Sequence, residues 1–257
     1  VAPAVVASLV LAGFAAGLVD AIAGGGGLIS LPALLAVGLP PQVAIATNKG
    51  QATFGAVASF ASYWRLGNVD RTRAPVAFVA GFVGSCAGAA ALLSVRPEPL
   101  RPVVIGLLLF AAVVVALRGR LQPRGVDVRV LAHPMATVAA IGLGLGMYDG
   151  FFGPGVGSLL IAAFALVFGD SLLRASGNAK VVNLGSNLAA LLVFTLFASR
   201  GTILWGVALP MAIANVAGAT IGSRLALARG DRLVRVVVLC VVAAVVAKLV
   251  ADMLRSP

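Results

Sequence analysis

Residues Gly17 to Gly27 read GLVDAIAGGGG. An apolar run long enough to enter a membrane carries a single acid, Asp20, and then stops at four consecutive glycines. The pattern returns in the second half of the chain as Gly146 to Gly157, GMYDGFFGPGVG. Asp149 stands where Asp20 stands, with Gly146 for Gly17, Gly153 for Gly24 and Gly155 for Gly26, while Pro154 and Val156 replace the other two glycines. An acid inside an apolar run, beside a broken helix and present twice, is the pattern of a transport site.

Composition agrees. Of 257 residues, 61% are hydrophobic and 11% are charged, and the mean hydropathy is +1.09. Soluble domains carry about 25% charged residues, so the chain belongs in membrane lipid. Continuously apolar runs point to α-helices rather than to the alternating strands of a β-barrel. The 31 glycines and 13 prolines suit closely packed or broken membrane helices. The net charge of +11 comes from arginines in short connections between apolar runs, where they set orientation, so no nucleic-acid partner is expected. Cys86 and Cys240 fall inside apolar runs and read as small buried hydrophobes. No zinc spacing, Walker loop or Ser/His/Asp set appears, so the expectation is no enzyme, no metal and no cofactor. The first apolar run has no basic region before it and no cleavage site after it, and is read as part of the membrane domain.

Ten apolar segments can be placed, at 3–23, 28–38, 43–64, 74–94, 100–117, 130–150, 157–168, 178–199, 202–223 and 233–253. Most approach the ~20 residues that cross a bilayer. The second and seventh would span only roughly 16–18 Å as helices, and each follows a glycine-rich break. The halves align further: Asn48 falls opposite Asn178, Thr53 opposite Asn183, Gly55 opposite Gly185, Gly84 opposite Gly218 and Gly88 opposite Gly222. A series in constant order implies an internal duplication.

The basic residues give its orientation. If the short segments add no change of side, the 19 basic residues divide ten against nine. If each glycine break returns the chain to the side it came from, as two passes or as a dipping hairpin, thirteen share one side. Lys49, Arg96, Arg101, Arg200, Lys248 and Arg255 then lie on the other. Positive charge gathers on the cytoplasmic side. The expected architecture is therefore an all-α, polytopic membrane protein in a single transporter domain. It has two inverted five-element repeats, 1–118 and 130–257, with short broken or re-entrant helices after the glycine breaks and both termini outside.

A glycine break ahead of a helix leaves backbone N–H groups unpaired at the gap, with the positive end of the helix dipole behind them. Such an arrangement binds anions without a side-chain charge. Gly24, Gly25, Gly26 and Gly27 precede one short helix, and Gly153, Pro154 and Gly155 precede the other. The plainer reading of these glycines is tight helix contact; the recurrence of break, acid and short helix together favours a site. An ionised aspartate at the membrane centre costs at least ~2.5–3.5 kcal/mol, so Asp20 and Asp149 need a partner or a proton. Each either titrates and couples transport to protons, or orients its glycine loop. Lys49 and Lys180 stand near the start of the long segments after the short helices; they attract an anion, pair with the aspartate of their own half, or snorkel to the interface. Asn48, Gln51, Thr53, Asn178, Asn183, Ser186 and Asn187 make those two segments polar, as a substrate path or as interhelical hydrogen bonds. Asp70 and Asp170 lie in connections beside arginines and read as solvated partners or helix caps. Tyr63, Trp64 and Trp205 read as interfacial aromatics.

The run DAIAGGGGLISLPALLAVGLPPQVAIATNK, Asp20 to Lys49, resembles the signature of the TauE/SafE sulfite exporter family, as do GNVD at Gly67 to Asp70 and the repeat beginning at Asp149. The resemblance covers essentially the whole chain. It implies transport of small sulfur-containing anions, sulfite or organosulfonates such as sulfoacetate, out of the cytoplasm across the inner membrane; nothing in composition or spacing indicates sulfur. The combined expectation is a secondary transporter, coupled to protons and working by alternating access, with a passive anion channel as the alternative. The expected substrate-binding residues are Gly24, Gly25, Gly26, Gly27, Asn48, Lys49, Gly153, Gly155, Asn178 and Lys180, and the expected proton-coupling residues are Asp20 and Asp149.

Overall fold

The computed structural model describes residues 3–96, 100, 102–108, 111, 133–198, 202–230 and 236. All regular structure among them is helical: α1 (Pro3–Ala23), α2 (Gly27–Ala36), α3 (Pro41–Arg65), α4 (Ala74–Ser94), α5 (Pro134–Phe151), α6 (Val156–Phe168), α7 (Leu172–Phe197) and α8 (Trp205–Arg229). All but residue 236 of the expected segment at 233–253, half of that at 100–117 and the connection between the halves lie outside the described residues. Among the described residues, four helices are long and apolar enough to cross a membrane: Ala4–Ala23, Ala74–Ser94, Leu172–Phe197 and Trp205–Arg229. Their outward side chains include Leu11, Leu196, Phe197 and Ile213, all more than half exposed, as a lipid-facing surface requires.

Local chemistry fixes the boundaries. Proline occupies the first turn of α3, α4 and α5, where its missing N–H costs no helix bond. The seventh helix starts at Leu172 rather than the expected 178, because the Ser171 side chain caps it by accepting from the Arg174 N–H at 3.3 Å. The glycine breaks are made by backbone that turns left-handed, at φ +74° for Gly24, +100° for Gly153 and +83° for Gly155.

The relative directions of the helices follow from which residues meet. A Cβ on Gly84 would come within 2.2 Å of the Leu143 carbonyl oxygen, and one on Gly88 within 2.0 Å of the Met147 carbonyl oxygen, so α4 and α5 run side by side in the same direction. In the same way Gly13 meets Met211 while Gly222 meets Leu18 and Ala21, and α1 runs with α8. Thr47 accepts from the Leu204 N–H at 3.1 Å and Gly55 abuts Asn215, so α3 also runs with α8. Gly81 abuts Val182, and Ser85 donates to the Ser186 carbonyl at 2.6 Å, so α4 runs with α7. Between α3 and α7 the order reverses: Tyr63 packs at Gly177, whereas Thr53 donates to the Asn187 carbonyl at 3.3 Å. Helices α1, α3 and α8 therefore run one way, and α4, α5 and α7 the other. The close contacts are small-residue contacts, as expected where apolar burial gives helices no reason to associate in lipid.

Two apolar clusters fill the bundle. One joins Leu9, Leu31, Leu34, Ile45, Leu92, Phe194 and Met211, from the first turns of α1, α3 and α8 and the last turns of α4 and α7. The other joins Ile22, Tyr63, Ala77, Val138, Leu160, Phe164, Val182 and Ala226, from the opposite ends of α1, α3, α4 and α8, the first half of α7, the start of α5, and α6. Each short helix belongs to one cluster, α2 to the first and α6 to the second. Gly26 sits against Ala16 and Asp20 of α1 while Leu31 and Leu34 reach Leu9's cluster, so α2 turns back along α1. Both breaks thus form dipping hairpins, with the starts of α2 and α6 in mid-bundle.

At the end occupied by α6, the α3–α4 and α6–α7 connections are tied together. Arg73 donates to Asp70 Oδ2 and to Asp170 Oδ1, each at 2.8 Å, and its guanidinium lies 4.6 Å over the Phe168 ring. Of the two readings the sequence allowed, solvated partner or helix cap, Asp70 is a cap, its Oδ1 accepting from the Thr72 and Arg73 N–H groups ahead of α4. Neither acid is fully solvated, the Asp170 side chain being 7% exposed and that of Asp70 18%. Burial pushes the Asp70 carboxyl up, but the Arg73 hydrogen bonds outweigh it and hold the group below the usual carboxylate range. A depressed folded-state value stabilises the fold above the unfolded value of ~3.9 and loses that contribution as pH falls through the folded value. Thermal midpoints measured from pH ~5 down to ~3 should fall more steeply in the wild type than in Asp70→Asn. Parallel curves would remove Asp70 from the acid response. Tyr63 is likewise interior, its hydroxyl donating to the Ala21 carbonyl at 2.9 Å.

Candidate functional site

Between the two apolar clusters lies a layer of buried polar side chains. Ser30, Thr47, Asn48, Lys49, Gln51 and Thr53 come from α2 and α3, and Asp149, Ser158, Lys180, Asn183, Ser186 and Asn187 from α5, α6 and α7. The two breaks touch at its centre. A Cβ on Gly24 would lie 2.2 Å from the Gly157 carbonyl carbon, and one on Gly27 3.0 Å from Pro154 Cα. The Ser158 N–H donates to the Gly24 carbonyl at 3.0 Å and the Ser158 hydroxyl to the Ala23 carbonyl at 2.6 Å. The starts of α2 and α6 therefore face each other from opposite directions. No described hydrogen bond takes the N–H of Gly25, Gly26 or Gly155. Neither helix has a side-chain cap. Two positive dipole ends and their unpaired donors converge on one small region.

A cavity of about 40 Å³ occupies that region, room for a few water-sized groups. Of the residues expected from the sequence, Gly24, Gly26, Gly27, Asn48, Lys49, Gly153 and Gly155 line it, together with Asp20 and Asp149. Gly25, Asn178 and Lys180 do not. Asn178 lies a turn away, donating to Asp170 Oδ2 and accepting from the Asp70 N–H, both at 2.8 Å. It secures the Arg73 connection instead. Matching Asn48 with Asn178 by sequence offset missed this, because the polar face that meets the cavity on α7 is presented by Asn183 and Asn187.

The ion pairs are exchanged between halves. Lys49 of α3 donates to Asp149 Oδ1 of α5 at 2.6 Å, and Lys180 of α7 to Asp20 Oδ2 of α1 at 2.7 Å. Pairing within one half was one of three readings the sequence allowed for these lysines, and the described pairs cross between halves instead. Because the breaks meet face to face, the acid one turn before each break is carried to the other half's long helix. Lys180 also donates to the main-chain carbonyl of Asp20, and Ser186 donates its hydroxyl to Asp149 Oδ2. Ser30 donates to Asn48 Oδ1 at 2.6 Å and Gln51 donates to the same oxygen at 2.9 Å, which leaves the Asn48 amide hydrogens without a described acceptor. Removed from water, such charges and amides persist only when paired, and here nearly all are.

Asn215 also lines the cavity and the sequence reading did not find it. A lone amide in the apolar run LPMAIANVAG was the available signal. Comparison of the halves hid it, since no amide occupies the corresponding part of α4.

Known proteins resemble the chain over nearly its whole length. The chain is 35% identical over 252 residues to the "Probable membrane transporter protein YfcA" of Escherichia coli strain K12, covering 98% of this chain and 92% of that protein. It is 36% identical over 249 residues to the "Probable membrane transporter protein ORF9" of a Sinorhizobium species, covering 96% and 92%. A "Probable membrane transporter protein" of Haemophilus influenzae is 35% identical over 246 residues, covering 96% and 94%. No solved structure matches. The family profile described as "Sulfite exporter TauE/SafE" matches residues 9–249. This multi-pass, all-helical membrane protein thus belongs to the TauE/SafE family, a family of membrane transporters.

Proposed function

We propose that the chain is a secondary transporter that carries a small sulfur-containing anion, sulfite or an organosulfonate, out of the cytoplasm across the inner membrane with proton coupling. The observation that carries this reading is the meeting of two helix starts, with unpaired N–H groups, at a buried cavity that Lys49 also lines. Backbone donors at helix starts suit tetrahedral and pyramidal oxyanions. Asp20 and Asp149 are the groups at hand for proton coupling. The family supplies the sulfur. Apolar clusters on both sides of the cavity favour a carrier over an open channel.

The helix directions support two inverted repeats, with α1 and α3 opposed to α5 and α7. Rocking one repeat against the other about the touching breaks would give alternating access. In that arrangement a reporter at residue 125 appears on the cytoplasmic side and one after Pro257 on the periplasmic side. Both reporters on one side would sink the inverted arrangement. The function itself is tested with purified protein in liposomes, by following labelled sulfite under an imposed pH gradient. Accumulation against the sulfite gradient is expected. Flux that only equilibrates identifies a channel, and no flux at all removes sulfite as the substrate.

A further inference from the structure

The two exchanged ion pairs sit at one site, but their surroundings differ. Both members of the Lys49–Asp149 pair line the cavity, whereas Lys180 does not. Both described bonds of Lys180 go to Asp20, one to the carboxylate and one to the main-chain carbonyl. A main-chain carbonyl does not titrate, so Lys180 stays anchored whatever the charge on Asp20. Lys49 has one described bond, to Asp149 Oδ1 at 2.6 Å. An ammonium has three donors, so two remain for a ligand.

Charge governs the response of the site to an entering monoanion. The two lysines and two aspartates cancel, so the anion adds one uncompensated negative charge to a buried site. Lys49 is the one cation among the described lining residues and becomes the anion's counter-ion. Its single positive charge cannot neutralise both the anion and the Asp149 carboxylate. That carboxylate, 3% exposed, is left under-compensated, with the Ser186 hydroxyl as its other described partner. An unpaired carboxylate at such a place is strongly disfavoured, and a proton removes the charge. The described groups around Asp149 offer no other neutralisation. Lys49 faces it from α3 and Asp20 from α1 across the cavity, with Lys180 of α7 engaged behind Asp20. Tyr148 is its neighbour on α5. Cys86 is the one titratable side chain on α4, and α2 and α6 carry none. The described part of α8 brings Asn215 to the cavity, its arginines lying in its last turns.

Resting on the reading of the cavity as an anion-transport site, we infer that Asp149 is the proton carrier and Lys49 the anion's counter-ion, so that one proton moves with each monoanion. The Asp20–Lys180 pair is a fixed clamp on the first break. The proton comes from water on the loading side, resides on an Asp149 oxygen while Lys49 holds the anion, and leaves to water on the other side. Lys49 stays protonated throughout. The cycle is electroneutral, so export is driven by the anion's own outward gradient and takes a proton out with it.

Proteoliposomes of the full chain test this with labelled sulfite, by two readouts: exchange at equal pH, and the final accumulation ratio under a one-unit pH gradient. One proton per monoanion makes that ratio about tenfold in the wild type, since each pH unit is worth a factor of ten. A potassium diffusion potential should not change it. Asp149→Asn should exchange at a reduced rate with a ratio of one. Asp20→Asn should be slower and less stable yet reach the tenfold ratio. Asp149→Glu should restore accumulation with a displaced pH profile; it also serves as the test if Asp149→Asn does not assemble. Accumulation by Asp149→Asn overturns the assignment and places the proton elsewhere, on the sulfite itself or on Asp20. So does a folded Asp149→Asn that no longer exchanges, an unshifted profile in Asp149→Glu, or a ratio of one in Asp20→Asn. A wild type that exchanges no sulfite removes the underlying transport reading instead.

Discussion

Lys49→Met should destabilise the folded protein by about 3–5 kcal/mol, the usual cost of removing one partner from a buried ion pair. Asp149 would be left with the Ser186 hydroxyl alone, in a position where its side chain is 3% exposed. Thermal unfolding in detergent would show the loss as a lowered midpoint. The double change Lys49→Met with Asp149→Leu should recover most of it, because apolar residues of similar volume can replace a buried pair at little net cost. The remaining deficit should be small, at most about 1 kcal/mol, because the Ser186 hydroxyl keeps the Asn183 carbonyl at 3.1 Å as an acceptor. Neither variant should transport sulfite. A stable, active Lys49→Met would show that the pair is not a functional unit.

The second large effect is expected at the crossing of the breaks. Gly24 and Gly38 both adopt left-handed backbone, at φ +74° and +86°. Alanine in that region costs roughly 1–2 kcal/mol from conformation alone. At Gly38 nothing lies within 4 Å of the added Cβ. At Gly24 the Cβ would stand 2.2 Å from the Gly157 carbonyl carbon and 2.5 Å from the Ser158 nitrogen. Gly38→Ala should therefore fold with a small loss, whereas Gly24→Ala should yield little folded protein and no transport. Fluorescence-detected size-exclusion of the two variants, side by side, gives the answer. Equal behaviour would mean that the breaks do not need to touch.

Much of the fold can be read from the residues. Glycine clusters inside apolar runs mark backbone that cannot continue as helix, so both breaks and both short helices are legible to within a few residues. The return of the chain at each break is legible too, since the distribution of arginines is one-dimensional information. Pairing across the halves is different in kind. Nothing near Lys49 in sequence names Asp149 as its partner, and only the contact of Gly24 with Gly157 brings them together. Offset matching likewise assumes that equivalent positions serve equivalent ends. It fails at Asn178, which the early start of α7 after Ser171 places in the second turn of that helix, bonded to Asp170 and Asp70 of the neighbouring connections. The Arg73 network is hidden for a similar reason, because its acids come from two connections far apart in the chain.

The side-by-side packing of α1 on α8 and of α4 on α5 bears on how the chain is assembled. In each case the partner belongs to the other half, and the contact is lined by glycines that bring backbone to backbone. The glycine face of α1 is made first and waits for Met211, Asn215 and Ala219, near the end of the described chain, before it is covered. Contacts so distant in sequence form slowly. During synthesis the first half is an unfinished surface, with a charged lysine at position 49 and no carboxylate from α5 to meet it. Insertion of the later helices is then the step that completes the earlier ones, and the order of translation is the reverse of the order of closure.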